Sequence, residues 1–341
     1  MQKKVFVGMS GGVDSSVAAA ILLEKGYKVE GISLILTENQ EKEGISDAQA
    51  VADVLGIPLH VLDMRKEFAE NVISNFVSEY RTGRTPNPCI VCNEKIKFGI
   101  MLEKSLEMGA DFLATGHYAK IEEVEGCFEL KAADSAKDQS YFLYRLSQHQ
   151  LAHVLFPMAD MEKADTRELA RKYNLPVAEK SDSQEICFVP DDDYVKFLKD
   201  YAGVESVPGS FVNLSGEKIG EHKGIVNYTI GQRKGLGAFG EPMFVTRINA
   251  KTNEVVLAPN GYQQSMEFIV ENLSEPIESE VELDVKIRFR APRVPATITP
   301  IGNNAVKVEF KEPQRAVTPG QSAVFYNGDT VVSGGFISMQ N

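Results

Sequence analysis

No stretch of this chain is apolar for anything like the roughly 20 residues that a helix needs to cross a bilayer, so no membrane span is expected. Its apolar start, Val5–Val7, is far too short for the core of a secretory signal. Cysteine is scarce, with four in 341 residues. That excludes a disulfide framework and points to a cytoplasmic protein whose special cysteines are catalytic or metal-binding. Positive charge is short too: 36 Lys and Arg stand against 48 Asp and Glu, a net charge of −12. As a sum this argues against a nucleic-acid partner, because phosphate contacts need a basic footprint. Binding depends on local patches, however. Lys286, Arg288, Arg290 and Arg293 stand together with no acid between them, and Arg81, Arg84, Lys95 and Lys97 form a second group interrupted only by Glu94. Each reads either as a contact surface for phosphates or as a solvated face.

The length calls for two or three domains. Strand patterns at 3–9, 27–36, 58–63 and 111–115 alternate with helical patterns at 15–25, 46–55 and 94–108, followed by helices near 165–173 and 191–201. Such alternation predicts an α/β fold with a parallel sheet covered on both faces. From Gly203 the texture changes to short β-type segments between Gly, Asn and Pro turns, and beyond about residue 265 it is almost purely β, including VELDVKIRFR at 281–290. Asn303-Asn304 and Asn327-Gly328-Asp329 mark turns between strands. The expected organisation is a catalytic α/β domain over 1–202, a small β-rich domain over 203–265 and a β-barrel-like domain over 266–341.

The strongest local signal is Ser10-Gly11-Gly12-Val13-Asp14-Ser15-Ser16, between the first strand and the first helix. In an open α/β sheet, ligands bind at the carboxyl ends of strands. A Gly-rich turn there aims backbone N–H groups and a helix N-terminus at an anion. No Lys follows Gly12, which excludes a Walker A loop, and the dinucleotide fingerprint is missing as well. SGGVDSS resembles the pyrophosphate loop of the ATP pyrophosphatase superfamily. Members cleave ATP between the α- and β-phosphates and adenylate a carbonyl or carboxylate oxygen. The resemblance implies ATP with Mg²⁺ as cofactor, Asp14 helping to position the loop and the metal-bound phosphates.

The cysteines pose the second question. Cys89 and Cys92 form Cys-x-x-Cys in TPNPCIVCN (85–93), where two prolines and two asparagines predict a rigid loop. Cys187 lies in SQEICF (183–188), and Cys127 sits in a plain hairpin-like stretch, read as structural or neutral. Structural zinc wants four ligands, and His149 and His153 offer no supporting motif. A thioredoxin-type pair belongs to a different fold. Two readings stay open: an iron–sulfur cluster on three cysteines, and a sulfur relay between a loop cysteine and Cys187.

Together these strings resemble the bacterial tRNA-specific 2-thiouridylases. The similarity covers nearly the whole chain: GMSGGVDSS (8–16), TPNPCIVCNEKIKF (85–98), ATGHYAK (114–120), KDQSYFLY (137–144), SQEICF (183–188), GQRKGLG (231–237) and VTPGQSAVFYNG (317–328). The resemblance implies an adenine nucleotide α-hydrolase-like first domain and ATP-dependent 2-thiolation of the wobble uridine of tRNA. The uridine C2 oxygen is adenylated to make it a leaving group, and a cysteine persulfide then delivers sulfur. A second thiolate cleaves the resulting S–S bond and leaves a protein disulfide. By the same resemblance, Gly8, Met9, Ser10, Gly11, Gly12, Val13, Asp14 and Ser15 bind ATP, with Leu34 and Gly116 near the adenosine. Asn87, Pro88 and Cys89 lie against the target base, Cys92 is the nucleophile and Cys187 carries the persulfide. His117, Lys137, Asp138, Gln139, Arg288, Phe289 and Gln321 contact tRNA. Phe289 beside Arg288 also fits on physical grounds, since an aromatic face and a guanidinium suit unstacked bases and phosphates. An upstream sulfur donor, a cysteine desulfurase or a sulfur-carrier protein, is implied as partner. The chain departs from the family pattern at Cys89, where many relatives carry Asp, and in a shortened segment at 37–46.

Overall fold

The computed structural model describes residues 2–38, 40–180 and 186–338, with backbone alone at 40–43. The chain divides into two compact units: Met1–Val72, Cys89–Phe188 and Gly328–Val331 in the first, and Ile73–Pro88, Val189–Asn327 and Val332–Asn341 in the second.

The first unit is built on β1 (Lys4–Gly8), α1 (Val13–Glu24), β2 (Lys28–Ile35), α2 (Gln40–Leu55) and β3 (Leu59–Asp63). After the excursion into the second unit it continues with β4 (Phe112–Ala114), a hairpin of β5 (Ala119–Val124) and β6 (Cys127–Ala132), β7 (Val154–Leu155) and α3 (Lys163–Lys172). Strands in the order β3-β2-β1-β4-β7 make one sheet, all of whose pairings are parallel. Alternation along β1 shows why it lies at the centre. Val5 and Val7 enter one core with Val13, Val17 and Ala18 of α1. Phe6 enters another with Ile32, Phe98 and Leu113. A strand with both pleat faces buried is the mark of a parallel sheet covered by helices. Gly26, at φ +81°, follows α1 and turns the chain into β2. In the hairpin, Glu125 and Gly126 both take positive φ, the geometry of a two-residue turn. Cys127 opens β6 and is exposed.

One segment departs from expectation. The run from Pro88 is helical, not a loop: an α-helical turn over Pro88–Val91, a π-helix over Cys92–Met101 and an α-helix over Leu102–Glu107. Proline at the first position of a helix gives up a donor that would have no intrahelical partner, so Pro88 starts this helix. The helical pattern read at 94–108 falls on this run, and only its start differs from expectation. Gly99 fits the π-helical register, since a Cβ there would sit 2.9 Å from the Glu94 carbonyl oxygen, five residues back.

The second unit contains α4 (Tyr194–Ala202) and a sheet of β8 (Gly209–Val212), β9 (Lys218–His222), β10 (Phe244–Asn249) and β11 (Glu254–Ala258), in the order β10-β11-β8-β9. It also contains a closed antiparallel barrel. Its strands are β12 (Gln264–Glu271), β13 (Val281–Lys286), β14 (Val294–Gly302), β15 (Ala305–Arg315), β16 (Ser322–Asn327) and β17 (Thr330–Ile337). They run in the order β12-β15-β14-β13-β16-β17, and Val270 opposite Ile337 closes the ring. Inward positions such as Phe268, Val285, Ile298, Val308 and Phe325 fill it, and closure removes the exposed edges of an open sheet. Asn303 and Asn304 both take positive φ in the β14–β15 turn, as their side chains allow. The strand pattern read through 290 stops at Lys286. Arg288 and Phe289 therefore lie on the connection to β14.

Candidate active site

The SGGVDSS loop leaves the carboxyl end of β1, the central strand. Met9 fixes its start by donating its N–H to the Ile32 carbonyl at 2.8 Å. The hydroxyls of Ser15 and Ser16 donate to the Gly12 carbonyl at 3.2 and 2.8 Å, and the Ser10 N–H meets Ser15 Oγ at 3.4 Å. Gly11 is at φ +71°, and a Cβ there would come within 2.7 Å of the Gly44 carbonyl oxygen. Gly116, after β4, lies directly on the loop: a Cβ would meet the Asp14 carbonyl carbon and the Ser15 nitrogen at 2.6 Å each. Leu34, half-buried near the end of β2, stands opposite Leu62 of β3.

Asp14 does more than the sequence indicated. Its Oδ1 accepts from Lys163 Nζ at 2.6 Å and from the Tyr118 hydroxyl at 2.9 Å. The Tyr118 hydroxyl, fully buried, also meets Thr166 Oγ1 at 3.0 Å. The loop is thereby tied to α3. A second lysine, Lys180, reaches the Gly11 carbonyl at 3.2 Å and Asp47 Oδ2 at 2.5 Å. Two ammonium groups thus flank a turn whose backbone favours anions. Sequence reasoning missed both lysines, because each bond spans well over a hundred residues.

The cysteine pattern also resolves within this unit. Cys92 is buried, Cys89 exposed and Cys187 exposed. Burial pushes the Cys92 thiol up to about 12, Lys97 opposes that shift, and the nearby Cys187 and Cys89 add to it. Cys89 is also shifted up by desolvation and drawn back by Lys97. Cys89 is exposed as a residue, while close packing around its thiol accounts for the desolvation. Cys89 and Cys187 thus each lie within electrostatic reach of Cys92, with Lys97 beside Cys89 and Cys92. Lys97 makes no ion pair with a carboxylate among the described residues. The other members of its sequence group are engaged: Lys95 with Glu94 at 2.9 Å, Arg84 with Glu79 at 2.7 Å, and Arg81 with the Ala202 carbonyl at 2.9 Å. Arg81 and Arg84 belong to the second unit and the two lysines to the first.

Asn93, beside Cys92, is buried and donates to the Phe142 carbonyl at 3.1 Å. His117 is half-buried, with Nδ1 2.7 Å from Thr115 Oγ1 and its ring against Phe98 and Phe156. Burial first, and Lys97 second, hold it well below the usual imidazole range. It is a neutral hydrogen-bonding group at neutral pH. Gln139 exchanges two bonds with Tyr118, its N–H donating to the Tyr118 carbonyl at 2.7 Å and its Oε1 accepting the Tyr118 N–H at 3.0 Å. Asp138 spends its carboxylate on the turn, accepting from the N–H groups of Ala133 and Ser140 and from Ser140 Oγ. Lys137 is exposed on that turn.

In the second unit, Gln321 donates its amide to the carbonyls of Thr85 at 2.9 Å and Pro86 at 3.3 Å, and Thr85 N–H donates to the Pro319 carbonyl at 2.9 Å. This pins the stretch that ends in half-buried Asn87 and buried Pro88. Arg288 donates to the Ile230 carbonyl at 3.3 Å and to Thr318 Oγ1. Lys286 lies 5.5 Å from the Phe289 ring, and the Arg293 guanidinium 3.9 Å from the Tyr326 ring. Ser183, Gln184 and Glu185 of the SQEICF string lie outside the described residues.

The iron–sulfur reading finds no support. Among the described residues no group of three or more His, Cys, Asp or Glu side chains is arranged to hold a metal ion. What stands is a parallel-sheet nucleotide-binding domain of the HUP class, carrying a phosphate loop and a thiol cluster in one compact unit. A family model described as the tRNA methyl transferase HUP domain matches residues 3–191. The matching PRC-barrel model covers 195–259, and an aminomethyltransferase beta-barrel model covers 262–337. The tRNA-specific 2-thiouridylase MnmA of Clostridium perfringens is 48% identical over 98% of this chain and 98% of its own. That of Carboxydothermus hydrogenoformans is 47% identical over 98% of each. That of Geobacter metallireducens is 45% identical over 98% of this chain and 97% of its own. The chain belongs to the tRNA-specific 2-thiouridylase family. No helix among the described residues is long and apolar enough to cross a membrane.

Proposed function

We propose that this protein is an ATP-dependent tRNA-uridine 2-sulfurtransferase acting in the cytoplasm on the wobble uridine. One observation carries the reading: a pyrophosphate-type loop and the Cys92–Cys187 pair belong to a single compact unit. Neither feature alone separates thiolation from other adenylating chemistry. An adenylating ligase has no work for the two thiols. Methyl transfer, the word in the family-model description, has none for a loop shaped to hold departing pyrophosphate.

The loop N–H groups and the lysines at 163 and 180 receive the phosphates, and Gly116 lets the chain after β4 approach the nucleotide. Both bonds of Asp14 go to Oδ1, which leaves Oδ2 for Mg²⁺. One carboxylate oxygen with the phosphates supplying the rest is a usual donor set for that ion. When bound, the ion offsets charge on the phosphate oxygens. Asn87, Pro88 and Cys89 lie along the base. His117, Lys137, Asp138, Gln139, Arg288, Phe289 and Gln321 contact tRNA, His117 as a neutral hydrogen-bonding group and Gln321 through its hold on Thr85 and Pro86. A sulfur-donor protein loads Cys187, whose exposure suits that delivery. The terminal sulfur of the Cys187 persulfide attacks C2 of the adenylated base and AMP leaves. The Cys92 thiolate then attacks Cys187 Sγ. A Cys92–Cys187 disulfide forms, and the thiolated base departs with the electron pair.

The test is nucleoside analysis of tRNA incubated with protein, ATP and a polysulfide, whose sulfane sulfur loads a cysteine persulfide without an oxidant. Expected are 2-thiouridine, AMP and pyrophosphate in equal amounts. AMP without thiolated nucleoside would leave an adenylating enzyme of another kind. Bound tRNA with neither product would leave an RNA-binding protein.

A further inference from the structure

The relay just proposed uses two of the three clustered thiols. Cys89 remains, and its placement is chemically specific. It precedes Cys92 by three residues on the same helical run, Pro88–Val91 leading into Cys92–Met101. Residues three apart on a helix place their Cβ atoms about 5–6 Å apart, only slightly beyond the roughly 3.5–4.5 Å of a disulfide. This is also the first turn of the helix, whose N–H groups have no intrahelical partners to lose, so it can close that gap cheaply. Cys92 is the central thiol, within electrostatic reach of both Cys89 and Cys187. Cys89 and Cys187 face solvent while Cys92 does not.

We propose that Cys89 is a resolving thiol, which takes over the disulfide from Cys187 after each sulfur transfer and so frees Cys187 for reloading. The step rests on the relay reading above, and it balances without an oxidant. Cys89 loses its proton to solvent, and its thiolate attacks Cys92 Sγ. The Cys89–Cys92 bond forms, the Cys92–Cys187 bond breaks, and the electron pair leaves on Cys187 Sγ, which solvent can protonate. An external dithiol then attacks the sulfur of Cys89, an exposed residue, and returns both residues to thiols, its own two sulfurs becoming the disulfide.

The site also dictates which sulfur is attacked. Exchange runs faster when the departing thiolate is the more stable one. Attack at Cys92 expels the sulfur of exposed Cys187. Attack at Cys187 would strand a thiolate at buried Cys92, where burial disfavours charge. Lys97, beside both Cys89 and Cys92, favours negative charge on the attacking sulfur.

The experiment charges the full-length protein with polysulfide, removes small thiols, and adds ATP and excess tRNA without reductant. After acid quench and alkylation, the disulfides are mapped by peptide mass spectrometry. Wild-type protein should yield a Cys89–Cys92 linkage with Cys187 alkylated, and Cys187 should regain a sulfane sulfur on a second polysulfide treatment. Cys89→Ser should stop after one round with a Cys92–Cys187 linkage and no reloading. With a dithiol supplied, its steady-state rate should fall on the order of tenfold. A wild-type protein that keeps Cys92–Cys187 with Cys89 alkylated overturns the resolving step and leaves the relay standing. Thiolated tRNA formed while every cysteine remains alkylatable overturns both.

Discussion

The phosphate loop and the thiol cluster share one compact unit, yet they are prepared for chemistry in opposite ways. The loop is finished before any substrate arrives. Its turn is closed by Ser15 and Ser16 on the Gly12 carbonyl, and Asp14 is fixed by Lys163 and Tyr118. The thiols are unfinished. In the proposed relay Cys92 acts as a thiolate, and burial favours its protonated form. With its pKa pushed up to about 12 by burial, the thiol stays protonated at pH 8. Phosphate binding needs donors fixed in advance, whereas a standing thiolate would invite oxidation. One site is built for readiness and the other for restraint.

The largest effect expected from that contrast is the inertness of Cys92. In the resting protein at pH 8, a small alkylating reagent should modify Cys92 about a thousandfold more slowly than an ordinary thiol. The rate should climb about tenfold per pH unit toward pH 11. Because the folded state holds this proton more tightly than the unfolded chain, the stabilisation is complete below the ordinary value of 9.0 and is lost as pH rises toward 12. Cys92→Ser should therefore flatten the alkaline fall in stability seen by chemical unfolding. Peptide-resolved alkylation that finds Cys92 as fast as exposed Cys127 would erase the contrast.

Gly116→Ala should come next, and it should strike the loop alone. The added Cβ would press on the backbone of Asp14 and Ser15 and on the Asp14 Cβ. Overpacking of this kind costs about 1–3 kcal/mol, and misplacing the reacting groups by about 1 Å costs roughly 10²-fold in rate. Pyrophosphate release with tRNA present should fall by about that factor, with Cys92 alkylation unaltered. A tenfold or larger change in alkylation would mean that the two sites are coupled. Lys163→Met is milder. It removes one charge-assisted bond to Asp14, worth about 1.5–3 kcal/mol. Pyrophosphate release should drop roughly tenfold or more, and a normal rate would make Asp14 independent of α3.

How much of this the sequence discloses follows from the distances involved. SGGVDSS is legible because strand, glycine turn and helix start are neighbours in the chain, and each signal stands within a few residues of the next. The parallel sheet is legible for the same reason, through Val5, Phe6 and Val7 and their counterparts. The Pro88–Glu107 helix is misread at its start, since Pro-Cys-x-x-Cys after Pro-Asn suits a loop as well as a helix that begins on proline. Lys163 and Lys180 are invisible, being ordinary surface-pattern lysines until folding brings them to the loop. Lys97 is visible only as one more charge in a run of basic residues.

The smallest effect concerns that same lysine, and it tests what little readiness the thiol site has. In an α-helix, residues three and four apart share a face. In the i→i+5 register of a π-helix, residues five apart come into line. Cys92 and Lys97 are five apart in such a helix. The ammonium favours the thiolate of Cys92 but does not overcome burial, because the thiol still stands near 12. Being half-buried, Lys97 is partly screened by water, so its influence should sit at the low end of the one to three pKa units typical of close opposite charges. Lys97→Met should then slow Cys92 alkylation at pH 9 by about tenfold or less, and Lys97→Arg should restore most of it. Release of pyrophosphate should move less than sulfur transfer does. An unchanged alkylation rate in Lys97→Met would remove Lys97 from the thiol chemistry and leave burial as the sole setting of Cys92.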